Sequence, residues 1–276
     1  MDRMPSRKRV SALTSVYSLA RSAGLFQFGW FQSLFVSSYF LYKRFWEDPF
    51  WGLLHRRPEL FRNGDVLDIG ANIGYTASLF ARAVDADSRV YAFEPDQESF
   101  AVLTRVLRRK NLCDKVIAVN MAVGSTEGSI EFWHNKRHSA DHRVVTEHFR
   151  GSQLDPAEVT AIPVVTVDGF VRSHHLESVS FLKMDVQGYE LAVCEGMRQT
   201  LANFPQLTVC FEYAPEALRE LGFEPAALLR FFHTGGYRLH VLTRSSINLA
   251  EEDAQIEKLA EENGYVDLLA SRNQLG

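Results

Sequence analysis

Asp65-Val-Leu-Asp68-Ile-Gly70-Ala-Asn72-Ile-Gly74-Tyr75 decides the fold, together with Val90-Tyr-Ala-Phe-Glu94-Pro95 downstream of it. The short apolar run bounded by Gly64-Asp65 predicts a buried strand. It breaks into glycines and then into Tyr75-Thr-Ala-Ser-Leu-Phe-Ala-Arg82, a stretch of helical composition. Strand, glycine turn and helix form one unit. Gly70 and Gly74 are expected to let the backbone approach a ligand, and the helix start offers N–H groups without intrahelical partners. The second apolar run ends in Glu94, at the carboxyl end of what should be the neighbouring strand. A carboxylate there can accept hydrogen bonds from both hydroxyls of a ribose.

Two nucleoside ligands suit such a loop. A pyrophosphate calls for Gly-x-Gly-x-x-Gly, whereas this loop reads Asp68-x-Gly70-x-Asn72-x-Gly74 and puts an acid where phosphates would be repelled. An acid suits a cation. S-adenosylmethionine carries a sulfonium and an ammonium group, so Asp68 is expected to hold the loop and the methionine end while Glu94 takes the sugar. A nicotinamide-dependent oxidoreductase is the weaker alternative, because the pyrophosphate pattern is absent. A non-catalytic binding protein on the same fold is a second alternative.

A chain of 276 residues, 46% hydrophobic, can bury a sizeable core. Its net charge of −4 is unevenly spread, with a head (residues 1–62) of +6 against a body (63–276) of −10. These ranges are taken as two units, a helical cap or membrane-contacting segment and a ligand-binding domain. Residues 22–42 carry no charge, are rich in Phe, Tyr and Trp, and lie between Arg7-Lys8-Arg9 and Lys43-Arg44. That composition suits a cap on the body, an interfacial membrane helix or a span. Cys113, Cys194 and Cys210 lack Cys-x-x-Cys spacing, so a reducing, cytoplasmic setting is expected, with contact at the cytoplasmic face of a membrane through the head. An acidic body without a nucleic-acid methylation motif argues against a nucleic-acid partner.

Downstream, a helix over 97–110, a strand over 115–120 and a further strand over 128–133 continue a βαβαβ pattern. A polar stretch holding His134, His138 and His142 predicts a long loop before residues 162–168. The three histidines form no metal motif by themselves. Asp185 and Glu212 each end an apolar run. If those strands are parallel, Asp68, Glu94, Asp185 and Glu212 gather at one sheet edge. Helices are expected at 191–201 and 225–234, and final strands at 237–242 and 264–270.

Leu67-Asp-Ile-Gly-Ala-Asn-Ile-Gly74, Phe93-Glu-Pro95, Val119-Asn-Met-Ala-Val-Gly124, Thr166-Val-Asp168 and Leu182-Lys-Met-Asp-Val-Gln-Gly-Tyr-Glu190 together resemble the FkbM-type class I methyltransferases over roughly residues 64–270. The resemblance implies a Rossmann-like α/β fold, with a seven-stranded, mostly parallel sheet flanked by helices and one strand antiparallel. It also implies S-adenosylmethionine as donor and a hydroxyl oxygen as the usual acceptor. Asp68, Gly70, Asn72, Gly74, Tyr75, Glu94 and Asn120 are the candidate cofactor residues. Asp185 is the first candidate general base, Glu212 the second, and a histidine from 134, 138 or 142, represented by His138, the third. Gln187 stands where the family usually has Glu, so no role carries over for that carboxylate. No metal is expected, because no Asp-Asn pair follows Asp185. The acceptor is expected to be a sugar, a polyketide-like molecule or a lipid-linked glycan.

Overall fold

The computed structural model describes residues 38–43, 48–134, 142–150 and 155–275. Its centre is a sheet of eight strands in the order β11-β10-β12-β9-β8-β1-β2-β3. The strands are β1 (Asp65–Ile69), β2 (Val90–Phe93), β3 (Val116–Val119), β8 (Val179–Met184), β9 (Thr208–Tyr213), β10 (Arg238–Leu242), β11 (Ile247–Leu249) and β12 (Val266–Ser271). β3, β2, β1, β8 and β9 run parallel; β12 is antiparallel to both β9 and β10. The expected seven strands become eight because β11 adds to β10 as an antiparallel edge.

Burial on both faces accounts for the near-continuous apolar character of these strands. On one face lie α1 (Phe50–Arg56), α2 (Tyr75–Phe80) and α3 (Gln97–Arg109), which bury Leu53, Phe80 and Leu103. On the other lie α5 (Val167–Ser173), α6 (Glu190–Glu195), α7 (Arg198–Asn203), α9 (Pro225–Thr234) and α10 (Asp253–Asn263), contributing Phe170, Val193, Leu201, Leu228 and Ile256. In α3 the buried Leu103, Val106 and Leu107 recur at helical spacing, and the Asp96 side chain caps the helix by accepting from Ser99 N, a contact worth about 1 kcal/mol. The helix expected over 191–201 is two helices, broken at Gly196. A Cβ at Gly196 would stand 2.1 Å from the Gly124 carbonyl oxygen, so the break lets two loops touch.

Of the long loop expected after residue 133, residues 135–141 and 151–154 lie outside the described residues, and parts of the rest are regular. β4 (Ala122–Val123), β5 (Gly128–Trp133), β6 (Arg143–Val144) and β7 (Val159–Val165) form a second sheet, with the short helix α4 (Glu147–Arg150) following β6. Strand β5 pairs antiparallel with β7 along its whole length, a pairing of distant segments that local pattern does not announce. Phe132, Val144, Ile162 and Val164 of this sheet pack on Tyr189 and Ala192 beside α6.

The described part of the head belongs to the body's core. Phe61 meets Phe80 and Phe181 with ring centroids 5.3 and 4.5 Å apart. Phe40, in a helical segment at residues 38–43, meets Tyr75 edge-on at 5.2 Å. Most of the uncharged run lies outside the described residues, among which no helix is long and apolar enough to cross a membrane.

Candidate active site

Parallel pairing aligns the strand ends. Ile69 is level with Phe93 on β2 and Met184 on β8, and Met184 with Phe211 on β9. Glu94, Gly70, Asp185 and Glu212 therefore follow one another across the carboxyl edge at about 4.8 Å per strand. Asp267 joins the row because β12 is antiparallel and enters where its neighbours leave, directly opposite Glu212. A cleft of about 300 Å³ opens over this edge, walled by Gly70 to Ile73, Glu94, Asp185, Glu212 and Asp267 together with Tyr39, Lys43 and Asp48 from the head.

At one end of the cleft Glu94 is buried, its carboxylate accepting from Asn72 N at 2.8 Å and Asp96 N at 2.9 Å. Burial drives its pKa up to about 8 against the lowering effect of those two bonds. Each carboxylate oxygen keeps a lone pair for a further donor, and Phe93 and Pro95 supply apolar walls. This end fits the ribose of a nucleoside, and the cleft falls at the lower limit of ligand-pocket sizes, about 300 Å³.

Asp68 stands behind the loop, fully buried. It accepts from Thr76 Oγ1 at 2.6 Å and faces Lys183 Nζ at 3.5 Å. Lys183 in turn donates to the Gly70 carbonyl at 2.9 Å and lies 3.7 Å from Asp185. Burial works to lower the pKa of Lys183, but Asp68 and Asp185 outweigh it and hold the ammonium charged. Tyr75 donates to Asp48 at 3.1 Å, tying the loop to the head.

Three residues have other tasks than those expected of them. Gly70 has φ +77° and a Cβ there would sit 1.9 Å from the Asp185 carbonyl oxygen, so its bareness serves the contact between two loops of the protein. Gly74, at φ +85°, caps α2 and faces Leu103. Asn120 donates to the carbonyls of Glu94 and Pro95 at 2.8 and 3.1 Å and does not line the cleft. Gly70 also lines the cleft, whereas Gly74 and Asn120 stand behind it.

At the other end the carboxylates crowd together. Asp185, with 40% of its side chain exposed, accepts from Gln187 Nε2 at 3.0 Å. Gln187 thus replaces a carboxylate that would repel Asp185 with an amide that orients it. Burial first, then the charges of Asp185 and Asp267, push Glu212 well above the usual carboxylate range. Burial and Asp185 raise Asp267 to about 7; Lys43 opposes both rises without cancelling them. His142 lines the cleft, whereas His138 lies outside the described residues. Asp48, Lys43, Tyr39 and Asp267 escaped the sequence reading; the only local signal for Asp267 was its place at the start of a strand.

A carboxyl whose pKa rises on folding binds more protons folded than unfolded, here between about pH 4 and 7 for Asp267. Stability from this group therefore falls as pH climbs through that window and stays lower above it. Asp267→Asn should stabilise the ligand-free protein by about 1 to 2 kcal/mol at pH 8, after allowance for solvent screening, and progressively less as pH falls below about 7, with most of the gain gone at pH 5. Urea unfolding at both pH values checks this; an equal gain at both would mean that charge is not the cause.

A family model for the methyltransferase FkbM domain matches residues 68–239. The hexuronic acid methyltransferase AglP of Haloferax volcanii is 32% identical over 141 residues, covering 50% of this chain and 52% of that protein. The match therefore spans about half the length of that relative. The methyltransferase sdnD of Sordaria araneosa is 22% identical over 207 residues, covering 67% and 78%. A solved FkbM methyltransferase from Methylobacillus flagellatus shows 16% identity and a TM-score of 0.49, over 80% of this chain and 47% of that one. With most of its length matched by the family model, the chain belongs to the FkbM methyltransferase family, whose methyl donor is S-adenosylmethionine.

Proposed function

We propose that the protein methylates a hydroxyl oxygen of a sugar-type small molecule. One observation carries this reading: Asp185, Glu212 and Asp267 converge at the end of the cleft away from Glu94. A wall of carboxyls suits a neutral polyol, which offers hydroxyl donors, and repels an anionic reacting group. The Haloferax relative, a hexuronic acid methyltransferase, supports the sugar class though not a neutral acceptor.

The cofactor supplies an electrophilic methyl group on a sulfonium. Glu94 would hold the donor's ribose, and the backbone of Gly70 to Ile73 its amino-acid end, while Asp68 and Lys183 fix the loop. Positioning of this kind accounts for much of the acceleration in intramolecular models, up to about 7 to 11 kcal/mol. Asp185 is placed to take the hydroxyl proton as the new bond forms, oriented by Gln187. Glu212, whose pKa burial and acidic neighbours push well above the usual carboxylate range, suits hydrogen-bond donation to an acceptor oxygen. Tyr39 and Lys43 close the cleft from the head side.

Transfer of a labelled methyl group to a panel of neutral sugars, uronic acids and lipid-linked glycans tests the reading, with mass spectrometry locating the product methyl. Methylation of a sugar hydroxyl is expected. Methylation confined to nitrogen or carbon acceptors would overturn it.

A further inference from the structure

Asp96, His134 and His142 present one carboxylate and two imidazoles with their donor atoms all within 4.8 Å of one another. They come from three different places: the N-cap of α3, the residue after β5 and the residue before β6. His134 Nδ1 lies 2.9 Å from Asp96 Oδ2, and His142 Nε2 lies 3.7 Å from Asp96 Oδ1. Bonds of about 2.0 to 2.2 Å to a zinc-like ion place neighbouring donors about 3.0 to 3.5 Å apart in tetrahedral or octahedral geometry. The two contacts, to different oxygens of Asp96, lie within a few tenths of an ångström of that range, and drawing all three donors, now within 4.8 Å of one another, around one ion takes side-chain movement of up to about 1 to 2 Å. We propose that the three side chains bind a divalent transition-metal ion of the zinc class, clipping the second sheet to the nucleoside end of the cleft.

The surroundings suit an ion better than a chance contact. The side chains are 6%, 23% and 10% exposed for Asp96, His134 and His142. The outward nitrogen of His134, Nε2, meets Thr160 Oγ1 on β7 at 2.6 Å, which aims Nδ1 at the centre. Ligating histidines are held in this way, by a hydrogen bond on the far ring nitrogen. Phe132 walls both imidazoles, with centroids at 5.2 and 6.0 Å. Asp96 Oδ1 is fixed by Ser99 N at 2.8 Å. Two imidazoles favour zinc, cobalt or nickel over magnesium or calcium, which prefer oxygen ligands. Three protein ligands leave coordination positions for water.

The ion's place gives it a role. Asp96 N donates to Glu94 Oε1, so whatever fixes Asp96 also fixes the carboxylate proposed to hold the ribose. His142 itself lines the cleft. A loaded site would join β5, β6 and the turn after β2 across a separation of 38 residues between Asp96 and His134. This assignment does not depend on which acceptor the enzyme uses.

The test needs no methyl acceptor. The untagged full-length chain, stripped with chelator, is titrated with Co²⁺ and followed by visible absorption and calorimetry, then with Zn²⁺ in competition. One ion per chain is expected, displaced by zinc, with a higher melting temperature when loaded. Asp96→Asn keeps the helix cap and removes the carboxylate, and His142→Ala removes one imidazole. Each should weaken Co²⁺ binding at least about 100-fold, the upper end of the loss seen on mutating a mere outer partner. No stoichiometric binding by the wild-type chain would overturn the proposal and leave Asp96–His134 as a plain hydrogen bond. Equal binding by the folded Asp96→Asn and His142→Ala variants would overturn it too, by placing the ion elsewhere.

Discussion

Asp185→Asn should lower methyl-transfer turnover by about 10² to 10⁴ while leaving donor affinity and melting temperature close to those of the wild type. The side chain is partly exposed in the cleft, so its replacement by an isosteric amide leaves the core untouched. Two strand spacings separate β8 from β2, the strand that carries Glu94, and the loss should appear in kcat with little change in donor Kd. Asp185 is preferred over its neighbours for a physical reason. Burial and the charges of Asp185 and Asp267 push Glu212 well above the usual carboxylate range, which disfavours the ionised form that a base needs. Stopped-time assays at saturating donor, with calorimetry for the donor, check the split. Near-normal turnover would transfer the role to Asp267, and Asp267→Asn would then be the damaging variant.

Gly70→Val should be the most damaging change to the cofactor end. The residue has φ +77° and an added Cβ would stand 1.9 Å from the Asp185 carbonyl oxygen. A β-branched residue in the left-handed region costs about 1 to 3 kcal/mol, and forcing a close-packed contact apart adds about 1 to 3 more. The expected loss of stability is therefore about 2 to 6 kcal/mol, measured by urea unfolding, and donor binding should vanish at temperatures where the variant is still folded. The clash displaces the turn after β8, so Asp185 moves as well. A variant with wild-type stability and binding would mean that the two loops are not in contact.

The strand-ending acids were readable because their pattern is local. An apolar run that stops at a carboxylate before a glycine announces Asp68 and Asp185, and one that stops at Glu94-Pro95 announces Glu94, without knowledge of the rest of the chain. Glu212 follows from the same alternation of strand and helix. Asp267 does not, since it opens its strand, and only the antiparallel course of β12 brings it to the same edge. The second sheet was hidden for a related reason: β5 pairs along its whole length with the distant β7 and over only two residues with its sequence neighbour β6, and the contact of Asp96 with His134 depends on that arrangement. Gly74 and Asn120 lie one step back from the cleft. They belong to motifs around the cofactor, yet one faces Leu103 and the other pins the Glu94–Pro95 carbonyls, so a motif residue can serve the ligand by shaping the backbone that meets it. The head's share of the cleft, Tyr39, Lys43 and Asp48, depends on a chain reversal that composition does not specify.

The central claim is that the donor's nucleoside end lies on the Glu94 carboxylate, with the acceptor beyond Asp185. Titration calorimetry of S-adenosylhomocysteine against the wild type and Glu94→Ala tests it most directly. Measured at pH 9, above the value of about 8 to which burial raises Glu94, loss of a hydrogen-bonded charged group predicts binding weaker by about 1.5 to 3 kcal/mol, with one site per chain in the wild type and a variant that remains folded. Equal affinity in the two proteins would contradict the account.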